Sequence, residues 1–296
     1  MLLKKIYLRF LQYIQQSVRF LQDKFLLLIS NLYQIFFLLF NETGLEKEVA
    51  QNKKTLSTIG SFIDHETYTS SKDFYGLPPY ILKHIDKSYN KYPTYSDLIL
   101  YLLNSFSRSP KYVEVGVSVL KNLFLISSGK SGLEIFAYDI NKINPVVEKY
   151  LHLEESKDNI KKYVHNSNKI SYFQGDVFKT EDLQKFKNLI KKVDFIFSDA
   201  HHSYEGLMSE YENLIKDILN KEFIIYYDDL SGDLLKAFIE ISQKLSESHK
   251  IFTFTFLING WIGNHEKMHR NGIITNIDIV NNFKRDGVSL CSIKKY

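Results

Sequence analysis

The sequence predicts an α/β protein built on a doubly wound, mostly parallel sheet, and three observations carry that expectation. The stretch from Tyr112 to Val119, Y-V-E-V-G-V-S-V, reads as a buried strand running into a tight turn at Gly116, with a helical run from Leu120 to Ile126 directly behind it. Short apolar strands then alternate with helical stretches through the rest of the chain, a pattern that places parallel strands between two helical layers. Each strand closes on a glycine or a carboxylate: Gly116, Asp139, Asp176, Asp199 and the pair Asp228-Asp229. Sheets of this kind bind ligands beyond the carboxyl ends of their strands, so these residues mark one candidate crevice.

The second strand is E-I-F-A-Y-D-I, from Glu134 to Ile140. A long helical stretch from Pro145 to Val164 leads to a third strand over Ile170 to Phe173, closing in Gly175-Asp176. Thr180 caps the next helix, whose first residues, Glu181 and Asp182, suit its positive end. The fourth strand spans Val193 to Phe197. The helix behind it buries Leu207, Met208, Tyr211 and Leu214, and the fifth strand is Phe223 to Tyr227. Ile251 to Ile258 alternates as F-T-F-T-F and suits an edge strand, and a last strand near Gly272 to Ile277 completes an antiparallel edge. Trp261, His265 and His269 stand in and after the loop between them, where they can overhang a pocket or simply line the surface.

Upstream of Tyr112 the organisation is different. Residues 1–40 read as helix, with apolar side chains at steps of three or four from Leu3 to Leu39, and residues 1–44 form an N-terminal helical segment. Lys4, Lys5, Arg9, Arg19 and Lys24 against Asp23 already account for the chain's formal charge of +4, so the rest balances to zero. A nucleic-acid groove across the main domain is therefore not expected, because phosphate binding needs clustered positive charge. The apolar run Phe25 to Phe40 is 16 residues, short of the ~20 that span a bilayer. Two readings stand: a basic helix leading into an apolar one that lies in an anionic membrane surface, or a helical hairpin packed on the domain or on a second subunit. Residues 45–105 read as a helical and irregular lid region rich in tyrosine, with Pro78, Pro79 and Pro93, and residues 106–296 as the main domain. The single cysteine, Cys291, excludes an internal disulfide framework and points to a reducing, cytoplasmic setting, at the membrane surface if the first helix binds there.

Taken together, the strand-end residues also resemble a known family. Val113-Glu114-Val115-Gly116-Val117-Ser118, Tyr138-Asp139-Ile140-Asn141, Gln174-Gly175-Asp176, Asp199-Ala200-His201-His202-Ser203-Tyr204-Glu205-Gly206 and Asp228-Asp229 resemble the class I S-adenosylmethionine-dependent methyltransferases. Within that group they are most similar to small-molecule O-methyltransferases of the macrocin and cephamycin-biosynthesis type. The resemblance covers about 190 residues and none of residues 1–100. It implies a Rossmann-like fold and a methyl transfer from S-adenosylmethionine to a small-molecule or glycan-type oxygen. Gly116 and Ser118 would lie along the methionine part of the cofactor, with Glu114 orienting that loop or the cofactor's amino group. Asp139 would accept the ribose hydroxyls and Asp176 the adenine amino group, and Asp199 would touch the cofactor and serve catalysis beside His202. His202 matches the histidine that takes the acceptor's proton, and Asp199, Asp228 and Asp229 match a triad that holds magnesium.

The chain also departs from that pattern. Ser118 and Leu120 occupy positions where the family has glycine, and His201 stands where an acidic residue is common. A competing expectation is that the domain keeps the fold as a non-catalytic scaffold, membrane-tethered or oligomeric. A nicotinamide dehydrogenase is disfavoured because the G-x-G-x-x-G loop is absent.

Overall fold

A computed structural model describes residues 44–59, 93–118, 120–260 and 269–295, and the chain divides into two compact units, Met1–Glu42 and Thr43–Tyr296. The expectations for residues 1–40, for the tyrosine-rich stretch before Pro93 and for Trp261 and His265 lie outside the described residues.

Ten strands form one sheet: β1 (Lys111–Val115), β2 (Glu134–Asp139), β3 (His152–Lys157), β4 (Ile160–His165), β5 (Asn168–Gln174), β6 (Val193–Ser198), β7 (Leu219–Tyr227), β8 (Phe252–Ile258), β9 (His269–Thr275) and β10 (Cys291–Lys295). Their spatial order is β10-β8-β9-β7-β6-β1-β2-β5-β4-β3. The five central strands are mutually parallel, with β1 in the middle, paired to β2 on one side and β6 on the other. The order reverses at β1, since the chain first winds outward through β2 and β5 and then returns to the opposite side at β6. That reversal opens a crevice beyond the carboxyl ends of β1 and its neighbours.

The central strands are near-continuous apolar runs because both of their faces are covered. Along β6, Phe195 and Phe197 point to one core and Ile196 to the other. On the first face lie α1 (Glu46–Ile59), α2 (Tyr95–Asn104) and α3 (Lys121–Gly129), which pack on one another. Beyond the short α4 (Pro145–Glu148), the second face carries α5 (Thr180–Ile190), α6 (Tyr204–Glu210) and α7 (Asp233–Ser246), while α8 (Ile279–Asp286) adds Ile279 and Phe283 to the first core. Asn168 braces α3: its side chain donates to the carbonyls of Ser127 and Lys130 and accepts from the amide of Leu133, which satisfies carbonyls that a helix end leaves open.

Three expectations need correction. Pro145 to Val164 is not one helix: only Pro145–Glu148 is helical, and the antiparallel hairpin β3–β4 comes next and extends the sheet beyond β5. The reason is local turn chemistry. Asp158 (φ 53°) lies in the first turn, and Asn166 (φ 48°) and Ser167 (φ 62°) form the two-residue connection to β5, the left-handed pair that a tight hairpin requires. The outermost strand β3 is exposed along its length, and Glu154, Glu155 and Lys157 discourage pairing with another chain. Thr180 does not cap α5 but sits inside it, after Lys179. Finally, β8 is flanked on both sides, by β9 and β10, so the edge belongs to β10.

Ser167 is exposed and held at φ 62°, a conformation that costs an L-residue roughly 1–2 kcal/mol. Ser167→Gly should therefore stabilise the domain by up to about 1 kcal/mol, read as a raised denaturation midpoint at unchanged m-value.

Candidate functional site

The turn after β1 is fixed from both sides. At Gly116 (φ 84°) a Cβ would lie 2.2 Å from the carbonyl oxygen of Asp199, so any side chain would drive apart the loops at the ends of β1 and β6. On the other side Asp139, at the end of β2, folds its carboxylate back onto the turn. Oδ2 accepts the amides of Val117 and Ser118, both at 2.8 Å, and Oδ1 accepts the amide of Asn141 at 2.8 Å. Three backbone amides and the Asn141 side chain thus hold the carboxylate against the turn. Burial pushes the Asp139 carboxyl up despite these amides. Ser118 (φ 49°) and Leu120 (φ 66°) both keep the left-handed backbone that glycine would adopt without strain. The turn thus has glycine-like geometry at residues that are not glycine.

Glu114 does not reach the crevice. It is 1% exposed, and its Oε2 accepts from Tyr112 Oη at 2.7 Å and from Asn122 Nδ2 at 3.1 Å, so it ties β1 to α3 beneath the turn. Asp176 lies at the end of β5, where its Oδ1 accepts the amide of Phe178 at 2.9 Å. Beside Asp139 and Asp176, Ile140 and Phe178 are 62% and 50% exposed, and the Phe178 ring meets that of His201 edge-on at 4.6 Å. Sequence reasoning did not single out Ile140 or Phe178 as site residues. The signal was available: each is a large apolar residue directly behind or two places beyond a strand-end carboxylate, where the chain has already left the core.

The ends of β6, β7 and β9 bring together the remaining polar groups. His202 Nε2 lies 3.1 Å from Asp199 Oδ1, and its Nδ1 lies 3.4 Å from Asp229 Oδ2. His269 Nδ1 is 3.5 Å from both Asp229 Oδ1 and Asp228 Oδ1, and the Asn271 side-chain amide donates to Asp228 Oδ1. Carboxylates and imidazoles alternate in a continuous chain, Asp199–His202–Asp229–His269–Asp228. Asp199, by its hydrogen bond, raises the His202 imidazole to about 9, although burial works the other way. The hydrogen bond from His269 holds Asp229 below the usual carboxylate range, whereas burial pushes Asp228 up. His201, in contrast, turns away and pairs with Ser203 Oγ at 2.9 Å, beside the cap of α6. His269, read from sequence as a residue that could overhang a pocket, is a member of this chain, and Asn271 was missed because asparagine inside a strand carries no distinctive pattern.

The resemblance implied magnesium on Asp199, Asp228 and Asp229. Their oxygens are of the hard type that magnesium takes. As arranged, however, His202 lies between Asp199 and Asp229, and among the described residues no group of three His, Cys, Asp or Glu side chains converges to hold an ion. The residues present do not fit a metal in this arrangement, and no step of the reaction is assigned to one.

Burial pushes Glu114 up to about 8 from an ordinary 4.5, so the folded protein keeps a proton that the unfolded chain releases between those values. Its stabilising contribution is complete below pH 4.5 and is lost as pH rises toward 8. Glu114→Gln should flatten this part of the decline in unfolding free energy, measured by urea titration at about pH 5 and about pH 8.

No family model and no curated protein matches the chain. Solved structures do, at low identity. An O-methyltransferase from Bacillus cereus in complex with SAH shares 10% identity over 80% of this chain and 92% of its own, with a TM-score of 0.46. The O-methyltransferase TomG from Streptomyces achromogenes, involved in tomaymycin synthesis and solved with SAM, shares 8% over 82% and 94%, with a TM-score of 0.45. A spermidine synthase in complex with a transition-state analogue shares 12% over 64% and 62%, with a TM-score of 0.40. At these values the likeness is one of topology, and topology does not choose a reaction. Among the described residues no helix is long and apolar enough to cross a membrane. The strand order, with five parallel strands reversing at β1 and an antiparallel β9 inserted between β7 and β8, gives the chain a Rossmann-like α/β fold.

Proposed function

We propose that the crevice binds S-adenosylmethionine and that the protein is a methyltransferase acting on an oxygen of a small-molecule or glycan-type acceptor. The observation that carries this reading is the placement of the alternating Asp–His chain immediately beside the strained, glycine-like turn at Gly116–Leu120. A group that can bear a proton thereby borders a loop shaped for close ligand approach. When bound, S-adenosylmethionine supplies a methyl group on a sulfonium, which passes to the acceptor oxygen as the carbon–sulfur bond breaks.

The chain's own residues supply position and charge. The turn and the first turn of α3 offer backbone dipoles to the cofactor's carboxylate. The Asp139 carboxylate can accept a ribose hydroxyl in exchange for the Asn141 side chain, and Ile140 and Phe178 offer exposed apolar surface near Asp176 on which adenine can lie. The three carboxylates at the ends of β6 and β7 favour a cationic sulfonium. Alignment of donor and acceptor accounts for most of the rate, as expected for an in-line displacement. His202, joined to Asp199 and Asp229, receives the acceptor's proton in whatever fraction of the protein holds it neutral.

Calorimetric titration should find S-adenosylmethionine binding in the micromolar to sub-millimolar range, on the order of values usual for enzyme substrates. Asp139→Ala should weaken it about tenfold or more, because loss of the clamp frees the turn as well as removing the ribose contact. No heat of binding at millimolar cofactor would overturn the reading.

A base must be neutral, and the His202 imidazole is raised to about 9, so kcat/KM should climb with pH through about 9. The opposite sign holds for stability: the raised value means a contribution complete below pH 6.5 and lost as pH passes about 9. His202→Asn should remove the alkaline rise in rate, measured with a labelled methyl donor across pH 6 to 10; a profile that keeps its rise assigns the proton to another group.

A further inference from the structure

α6 carries a buried acid that the proposed reaction does not use. Glu210, with no exposed surface, accepts a hydrogen bond at Oε2 from Ser198 Oγ at 2.6 Å, and its Oε1 has no hydrogen-bond partner in the described residues. Ser198 ends β6, and the next residue is Asp199, which holds His202. Between Ser198 and Glu210 the chain leaves the sheet, passes through Asp199 and His202, is capped by Ser203 and enters α6. The Ser198–Glu210 bond pins the two ends of that excursion together from inside the core.

Two further features set this contact apart from ordinary packing. A π turn, Tyr211–Ile215, begins directly after Glu210, and the extra residue in such a turn rotates the helix on its N-terminal side relative to the helix on its C-terminal side. Glu210 is therefore aimed independently of the helix face that packs Leu214 and Ile215. A carboxyl is also a costly choice for a buried position that only fills space. Burial pushes it up to about 8, with Asp199 adding to the rise, so it is largely neutral at pH 7 and adds little charge beneath Asp199. Across the sheet, Ser198 stands in register with Val115 of β1, which leads into Gly116, and with Tyr227 of β7, which leads into Asp228. The pinned strand end is the middle of the three that frame the crevice.

We propose that Glu210 is a positioning residue: through Ser198 it holds the end of β6 in place, and so fixes where Asp199 and His202 stand in the crevice. The inference deepens the methyl-transfer reading and rests on it for its consequence in catalysis, but the geometry it asserts is testable without turnover.

The experiment uses the full chain and two mild variants, Ser198→Ala and Glu210→Gln. Three quantities are read: the ring resonances of His202 by histidine-selective NMR, assigned from their absence in His202→Asn; the cofactor Kd by calorimetry; and kcat and KM with labelled methyl donor. Ser198→Ala should displace the His202 resonances and lower kcat on the order of tenfold to a hundredfold, as misplacement of a reacting group does, with a smaller rise in cofactor Kd, because Asp199 moves as well, and acceptor KM little changed. Glu210→Gln, whose amide oxygen still accepts from Ser198, should resemble the wild type in all three. Unmoved His202 resonances in Ser198→Ala would overturn the inference, as would a Glu210→Gln variant as impaired as Ser198→Ala. If the wild type transfers no methyl group while Ser198→Ala still displaces His202, the reaction assignment fails and the positioning role stands.

Discussion

The end of β1 is held by two constraints, and the remaining site geometry depends on them. Gly116 lies so close to the backbone of Asp199 and Ala200 that no side chain fits between them. From the other flank, Asp139 takes the amides of Val117 and Ser118 onto one carboxylate oxygen. One contact sets the distance from β1 to β6 and the other the distance to β2, so the three strand ends are fixed relative to one another. Left-handed backbone at Ser118 and Leu120 is tolerable for the same reason. Each left-handed residue costs roughly 1–2 kcal/mol, a strain that persists only where the surroundings over-determine the backbone.

That clamp also explains how far the crevice could be read from the sequence. The parallel core was legible because strands buried on both faces appear as near-continuous apolar runs, and Tyr112 to Val115, Ile135 to Tyr138 and Val193 to Phe197 have that form, interrupted only by Glu114 and Asp194. The strand-end acids were legible as positions, but not as orientations. Asp139 and Glu114 look alike in the sequence, one strand apart. Only the fold shows that Asp139 faces the turn while Glu114 is sealed under α3 between Tyr112 and Asn122. The β3–β4 hairpin was misread because Glu, Lys and Leu are good helix formers at that spacing. The information that contradicts a helix sits in Asp158, Asn166 and Ser167, which tolerate a backbone that helices do not use.

The alternation Asp199–His202–Asp229–His269–Asp228 answers a problem of charge. Three carboxylates gathered at neighbouring strand ends repel one another, and each would be costly to desolvate alone. Interleaving imidazoles between them gives every carboxylate at least one donor, so the cluster can exist without an ion. Partners on both sides also order the imidazoles. His202 contacts a carboxylate through each ring nitrogen, which fixes the plane of the ring across the mouth of the crevice.

Order of this kind trades against basicity. The same two carboxylates that orient His202 hold its proton, so the base that the proposed reaction requires is a poor one at neutral pH. A cationic ligand resolves the conflict. A sulfonium entering beside Asp199 and Asp229 would compete with the imidazolium for their charge, lowering the energy needed for His202 to give up its proton.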